Sequence, residues 1–171
     1  GSAVASAGDI NGDGYADLLV GAFKHSEGGT DAGAAYLFVG PTGGLVSIDS
    51  AQAKWLGDIA EGKAGSAVTG LGDWDGDGQD DLAIGAPLAS IDDTYPGIAT
   101  VWTGPLTGTM SLQDSTTRFH GETQGSLFGN SIASVADQDG DGQRDLLVGA
   151  EAYASDTDAT GAAFLLRSGD L

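Results

Sequence analysis

Three short segments of the chain gather oxygen-bearing side chains at a fixed spacing. DINGDGYADLLVGA starts at Asp9, DWDGDGQDDLAIGA at Asp73 and DQDGDGQRDLLVGA at Asp137. Counted from those residues, positions 1, 3, 5 and 9 are Asp9, Asn11, Asp13 and Asp17 in the first. They are Asp73, Asp75, Asp77 and Asp81 in the second, and Asp137, Asp139, Asp141 and Asp145 in the third. Position 7 (Tyr15, Gln79, Gln143) adds a backbone carbonyl whatever its side chain. Together these oxygens match the flexible shell of roughly six to eight ligands that Ca²⁺ takes. Glycine at position 6 (Gly14, Gly78, Gly142) permits the sharp turn that points successive oxygens inward. Magnesium demands a tighter octahedron, and zinc prefers His or Cys ligands, which these loops lack. The expectation is three Ca²⁺ sites.

Carboxylates held about 4 Å apart repel by roughly 4 kcal/mol per pair at an effective dielectric near 20. A loop of this kind therefore needs a cation to stay closed, and the fold is expected to depend on calcium. Asn11 leaves the first loop one carboxylate short, which predicts the weakest binding there. A helix–loop–helix calcium motif needs an acidic ligand at position 12. That position is Val20, Ile84 and Val148, each inside a strand-like run, so these loops join strands.

The elements around the loops repeat with them. All three segments are spaced by 64 residues, and the register holds well beyond them. GSAV at Gly1 recurs at Gly65 and as GNSI at Gly129; GAAYLFVG from Gly33 aligns with GIATVWTG from Gly97 and GAAFLLRS from Gly161. The chain of 171 residues thus divides into units 1–64, 65–128 and 129–171, about 2.7 copies. Within the first unit, strands are expected near Ser2–Ala7, Ala16–Ala22, Ala34–Gly40 and Ala51–Gly57. The middle two are apolar on both faces (Leu18-Leu19-Val20, Tyr36-Leu37-Phe38-Val39), so both faces must be covered. SIDSAQAKWLGD from Ser47 could pass for a helix, but its counterpart SLQDSTTRFHGE carries paired threonines and an aromatic, which favour a strand. The predicted fold is all-β: propeller blades of four antiparallel strands in an incomplete propeller.

Composition narrows the partners. With 25 acidic and six basic residues the net charge is −19, a surface that repels nucleic acid. No apolar run approaches the ~20 residues of a membrane helix, so no membrane insertion is expected. Cysteine is absent, which removes disulfides and thiolate metal sites.

DxDxDGxxDLLVGA, preceded by LFGNSIAS and followed by GAAYLFVG, resembles the FG-GAP repeat of integrin α-subunit β-propellers. The resemblance implies that each calcium loop joins the innermost and second strands of a blade, and that ligands bind on the opposite rim. The FG signature stands at Phe128-Gly129, becomes Ala64-Gly65 and is cut at Gly1. GAP is complete at Gly85-Ala86-Pro87, whereas the other copies read Gly21-Ala22-Phe23 and Gly149-Ala150-Glu151. Vertebrate integrin propellers carry disulfides, so the cysteine-free chain looks more like a prokaryotic relative.

Three function classes follow. The first is an adhesion or binding module, extracellular or on the cell surface, taking a protein or glycan through the variable segments that start at Phe23, Pro87 and Glu151. Millimolar-class calcium loops suit that setting. The second is a structural unit completed by further blades, either from a longer chain or from other copies of itself, into a ring or filament. An enzyme is the least supported: His25 and His120 do not recur at the repeat offset, and no GxSxG elbow is present. Trp55 and Trp102 fall in strand-like runs and are expected to pack between blades, while Trp74 sits inside the second loop, where it could cover the metal.

Overall fold

The structure is a computed structural model that describes residues 1–90, 94–115, 117–154 and 160–168. Twelve strands run along the described residues: β1 (Ala3–Gly8), β2 (Asp17–Gly21), β3 (Ala34–Phe38), β4 (Ala53–Leu56), β5 (Ala67–Gly72), β6 (Asp81–Ala86), β7 (Ile98–Trp102), β8 (Gly108–Ser111), β9 (Thr117–His120), β10 (Phe128–Val135), β11 (Asp145–Ala150) and β12 (Ala162–Leu166). They form three sheets, β1-β2-β3-β4-β8, β5-β6-β7-β9 and β10-β11-β12. The first three strands of each sheet form an antiparallel meander, and its first two strands are joined by one acidic loop. The arrangement is that of successive blades in a partial β-propeller.

The expected strands lie within two residues of those observed. Ser47 does not start a helix: it caps a single 3-10 turn at Ile48–Ser50, after which β4 begins. One strand has no counterpart in the expectation. β8 comes from the second repeat, yet it pairs in parallel with β4 of the first blade, Lys54 opposite Thr109 and Trp55 opposite Met110. It works as a clasp from one blade onto the rim of the one before.

Sheets stack face to face, and the stacking explains why the middle strands are apolar throughout. Every residue of β6 and β7 is buried, because the second blade has a neighbour on each side. Between the first and second blades Leu19, Leu37 and Trp55 meet Leu82, Ile84 and Trp102; the two indoles lie 5.8 Å apart. Between the second and third, Leu71, Trp74 and Val101 meet Phe128, Leu146 and Val148. Each such aliphatic side chain contributes about 1.5–3 kcal/mol on burial.

The blades approach closely where the repeat signature falls. A Cβ on Gly21 would overlap the carbonyl of Gly65, and one on Gly85 the carbonyl of Gly129. The glycine of the FG element and that of the GAP element are therefore two halves of one contact between neighbouring blades.

Candidate metal centre

The three loops share one internal scaffold. The position-1 carboxylate accepts the backbone N–H of the position-6 glycine: Asp9 from Gly14 at 2.8 Å, Asp73 from Gly78 at 3.0 Å, Asp137 from Gly142 at 2.9 Å. Position 3 accepts from the N–H of position 5, with Asn11, Asp75 and Asp139 at 3.0, 3.1 and 3.2 Å. Position 5 accepts from position 7, with Asp13, Asp77 and Asp141 at 2.9, 2.8 and 2.7 Å. Each loop thus winds around its own side-chain oxygens, the local competition with regular structure that Asp and Asn favour. Glycines at position 6 have φ of 87°, 90° and 93°, and those at position 4 (Gly12, Gly76, Gly140) 72°, 81° and 88°. A Cβ on Gly14, Gly78 or Gly142 would meet no atom, so left-handed backbone and not space requires glycine there. Glycine recurs three times at position 4 in the sequence as well, and its positive φ gives it the same role there as at position 6.

Position 9 anchors the loop to the blade. Asp17, Asp81 and Asp145 are buried at the first residue of β2, β6 and β11, and each accepts the position-2 N–H: Ile10 at 2.9 Å, Trp74 at 2.7 Å, Gln138 at 2.8 Å. The second oxygen of Asp17 accepts from Gly40 at 2.8 Å. That of Asp145 is buried with no hydrogen-bond partner among the described residues, and that of Asp81 makes no hydrogen bond of good geometry, although the Gly104 N–H, the counterpart of Gly40, acts on its carboxyl. A buried carboxylate oxygen without a donor is costly unless a cation answers it.

Among the described residues two groups of three acids bring one oxygen each within 4.8 Å of one another: Asp73, Asp75 and Asp81, and Asp137, Asp139 and Asp141. The first loop, with Asn11 at position 3, forms no such acidic group. There the Asn11 amide turns its N–H toward Asp13, at 3.0 Å. The oxygen-only donor sets and the buried Asp145 oxygen without a hydrogen bond among the described residues fit a hard divalent cation.

The charge environments differ. Burial, joined by the Asp75 charge and opposed by the Trp74 N–H, pushes the Asp81 carboxyl up to about 6. The Gly140 and Gly142 N–H groups hold Asp137 below the ordinary carboxylate range.

Asp80, next to the position-9 carboxylate, also shapes the loops, although its place in the motif does not mark it. Its carboxylate accepts the N–H of Asp9 at 2.7 Å and ties the second loop to the start of the first. The corresponding residue of the third loop is Arg144, whose Nε donates to Ser134 at 2.7 Å and whose aliphatic stem lies against Gly72. The Trp74 ring is buried between the second and third blades.

On the first blade, the segment starting at Phe23 carries a polar cluster. Tyr36 Oη lies 3.2 Å from His25 Nδ1, His25 Nε2 3.1 Å from Glu27, and Lys54 Nζ 2.8 Å from Glu27. The corresponding segments from Pro87 and Glu151 include residues 91–93 and 155–159, which lie outside the described residues.

Stacked meander blades with an acidic hairpin loop at the start of each define a β-propeller repeat protein. The FG-GAP repeat family model matches residues 1–38 and 64–102. Human integrin alpha-IIb is 36% identical over 147 residues, 83% of this chain and 14% of that protein. Phosphatidylinositol-glycan-specific phospholipase D from Bos taurus is 38% identical over 148 residues, 82% and 17% respectively. Integrin alpha-4 from Xenopus laevis is 34% identical over 176 residues, 98% and 15%. The chain belongs to the FG-GAP repeat family, and it spans less than a fifth of the length of these relatives.

Proposed function

We propose that the chain is a calcium-stabilised, non-catalytic binding module that works outside the cell or at its surface, with the units 1–64, 65–128 and 129–171 acting as one rigid array. The observation that carries the reading is the convergence of one oxygen each from Asp73, Asp75 and Asp81, and from Asp137, Asp139 and Asp141, within 4.8 Å of one another. Asp73, Asp75, Asp77, the Gln79 carbonyl and Asp81 hold Ca²⁺ in the second loop. Asp137, Asp139, Asp141, the Gln143 carbonyl and Asp145 hold it in the third. Asp9, Asn11, Asp13, the Tyr15 carbonyl and Asp17 form the weakest set.

Bound calcium supplies the positive charge that lets these carboxylates converge. The chain's own part is to fix the oxygens through the N–H pattern above and to pin each loop to a buried strand start. A cation that binds only the folded state stabilises it by about 2.7 kcal/mol at 100 times its Kd. Rigid loops in turn present the opposite rim, with the His25–Glu27–Lys54 cluster, to a protein or glycan; the integrin relatives support an adhesion role. Thermal unfolding with calcium and with EDTA is the test. A Tm several degrees lower in EDTA is expected, and an unchanged Tm defeats the reading. A pull-down on immobilised chain, with calcium and with EDTA, then identifies the ligand.

A further inference from the structure

Position 8 of the loop motif changes its chemistry from repeat to repeat: Ala16, then an acid, Asp80, then a base, Arg144. In the second and third repeats its side chain crosses to the preceding blade at one equivalent spot. Asp80 lies against Gly8 and Arg144 against Gly72, two glycines related by the 64-residue register. Each glycine stands just before position 1 of a loop, with φ of 84° and 72°. Each also follows a slip in strand register, between Ser6 and Gly8 in β1 and between Gly70 and Gly72 in β5. Bulges of this kind re-aim the backbone next to a site. A Cβ on Gly8 would overlap the Asp80 carboxylate, so the approach requires glycine there.

What the two side chains do at this seam differs. Asp80, half-buried, accepts the N–H of Asp9 at 2.7 Å. Asp9 is position 1 of the first loop, and its own carboxylate accepts from Asp13 and Gly14, so the residue is held at both ends. In the chain Asp80 stands between Gln79 and Asp81, positions 7 and 9 of the second loop. The Gln79 N–H donates to Asp77, and Asp81 accepts from Trp74, so that loop fixes both neighbours of Asp80. One carboxylate thus joins the exit of the second loop to the entry of the first. A hydrogen bond to an ionised acceptor is roughly twice as strong as one between neutral groups. Arg144 instead turns back and donates to Ser134 of its own blade.

We infer that Asp80 is a positioning residue for the calcium site of the first loop and couples that site to the second, so that calcium in either favours calcium in the other. The inference rests on the calcium reading proposed above. Calcium in the second loop fixes the Gln79 carbonyl and the Asp81 carboxylate, and with them the Asp80 backbone between. Asp80 then holds the Asp9 backbone so that the Asp9 carboxylate faces into its loop. It also brings a negative charge to the entry of the loop that Asn11 leaves one carboxylate short. Coupling of this kind is reciprocal by linkage. Arg144, bonded within its own blade, provides no such link from the third loop to the second.

A calcium titration of the whole chain, followed by the amide resonances of Gly14, Gly78 and Gly142, reads the three loops separately. The second loop, with its extra carboxylate, fills before the first. Asp80→Ala is therefore expected to weaken the Gly14 titration about tenfold and to move those of Gly78 and Gly142 by less than about twofold. Asp75→Ala, which disables the second loop, should weaken the Gly14 titration about fivefold when Asp80 is present and no further in Asp80→Ala. In EDTA the Asp9 N–H should exchange about tenfold faster in Asp80→Ala. Asp80→Asn keeps an acceptor oxygen without the charge; it recovers part of the loss and serves if Asp80→Ala fails to fold. A Gly14 titration unchanged by Asp80→Ala, with calcium still bound, overturns this inference alone. Equal weakening by Asp75→Ala with and without Asp80 does the same. If none of the three glycines responds to calcium in the wild type, the calcium reading fails and the inference falls with it.

Discussion

The second and third acidic loops are nearly identical in sequence and in hydrogen bonding, yet they sit in different surroundings. Trp74, at position 2 of the second loop, is sealed between two blades, whereas Gln138 at the same place in the third is exposed. Asp81 joins the oxygen cluster of its loop, while the third loop's cluster is made by Asp137, Asp139 and Asp141. The second loop carries a carboxyl pushed up by burial, and the third carries one held down by backbone N–H groups. The loop motif therefore sets the donor pattern, and the neighbouring blade sets how far the position-2 side chain is covered.

The sharpest way to break this contrast is at position 2. Trp74→Ala should cost about 3–5 kcal/mol in urea unfolding, because it opens a cavity in a packed core. Gln138→Ala should stay within about 0.5 kcal/mol. Equal effects would mean that the two loops are equally supported.

Position 9 comes next. Asp81→Ala should weaken calcium at the second loop roughly a hundredfold, near 2–3 kcal/mol, by calorimetric titration, since it removes a clustered ligand and leaves the Trp74 N–H without an acceptor. Asp145→Ala should have the smaller effect on its own loop, because Asp145 lies outside the group of three.

A change of pH separates the loops without mutation. Asp81 must be ionised to ligate, so calcium affinity at the second loop should fall about tenfold as pH drops from 7 to 5, through the value near 6. The third loop, where Asp137 titrates lower, should change less over that range. Without metal the sign reverses. A raised folded pKa means that Asp81 adds stability fully present below its unfolded pKa of 3.8 and lost as pH rises through about 6. Thermal melts at pH 4.5 and 7 should therefore show the calcium increment growing with pH.

The smallest effect is expected in the first loop. Asn11→Asp should tighten calcium there by about tenfold or less, bringing it nearer the other two. A titration in which the wild-type first loop already binds tightest would contradict the ranking by carboxylate count.

Much of this was legible in the chain itself. Glycine at fixed loop positions, the ninth-position Asp and the 64-residue register gave the blade and its loop directly, because turns and ligand spacing are local matters. Trp55 and Trp102, expected between blades, lie there. β8 was not legible: a parallel pairing between Gly108–Ser111 and a strand of the previous repeat depends on where blades sit, and GTMS has no strong strand signal. Asp80 was missed for a similar reason, since its acceptor role is toward a loop 71 residues away.

The sequence by itself determined the oxygen positions, the left-handed glycines and the order of strands within a blade. Only the tertiary structure decided what covers equivalent positions: Ile10 is buried between the first and second blades and Trp74 between the second and third. Hydrogen-bond spacing is written along the chain, whereas the burial of an apolar side chain belongs to whichever sheet lies next.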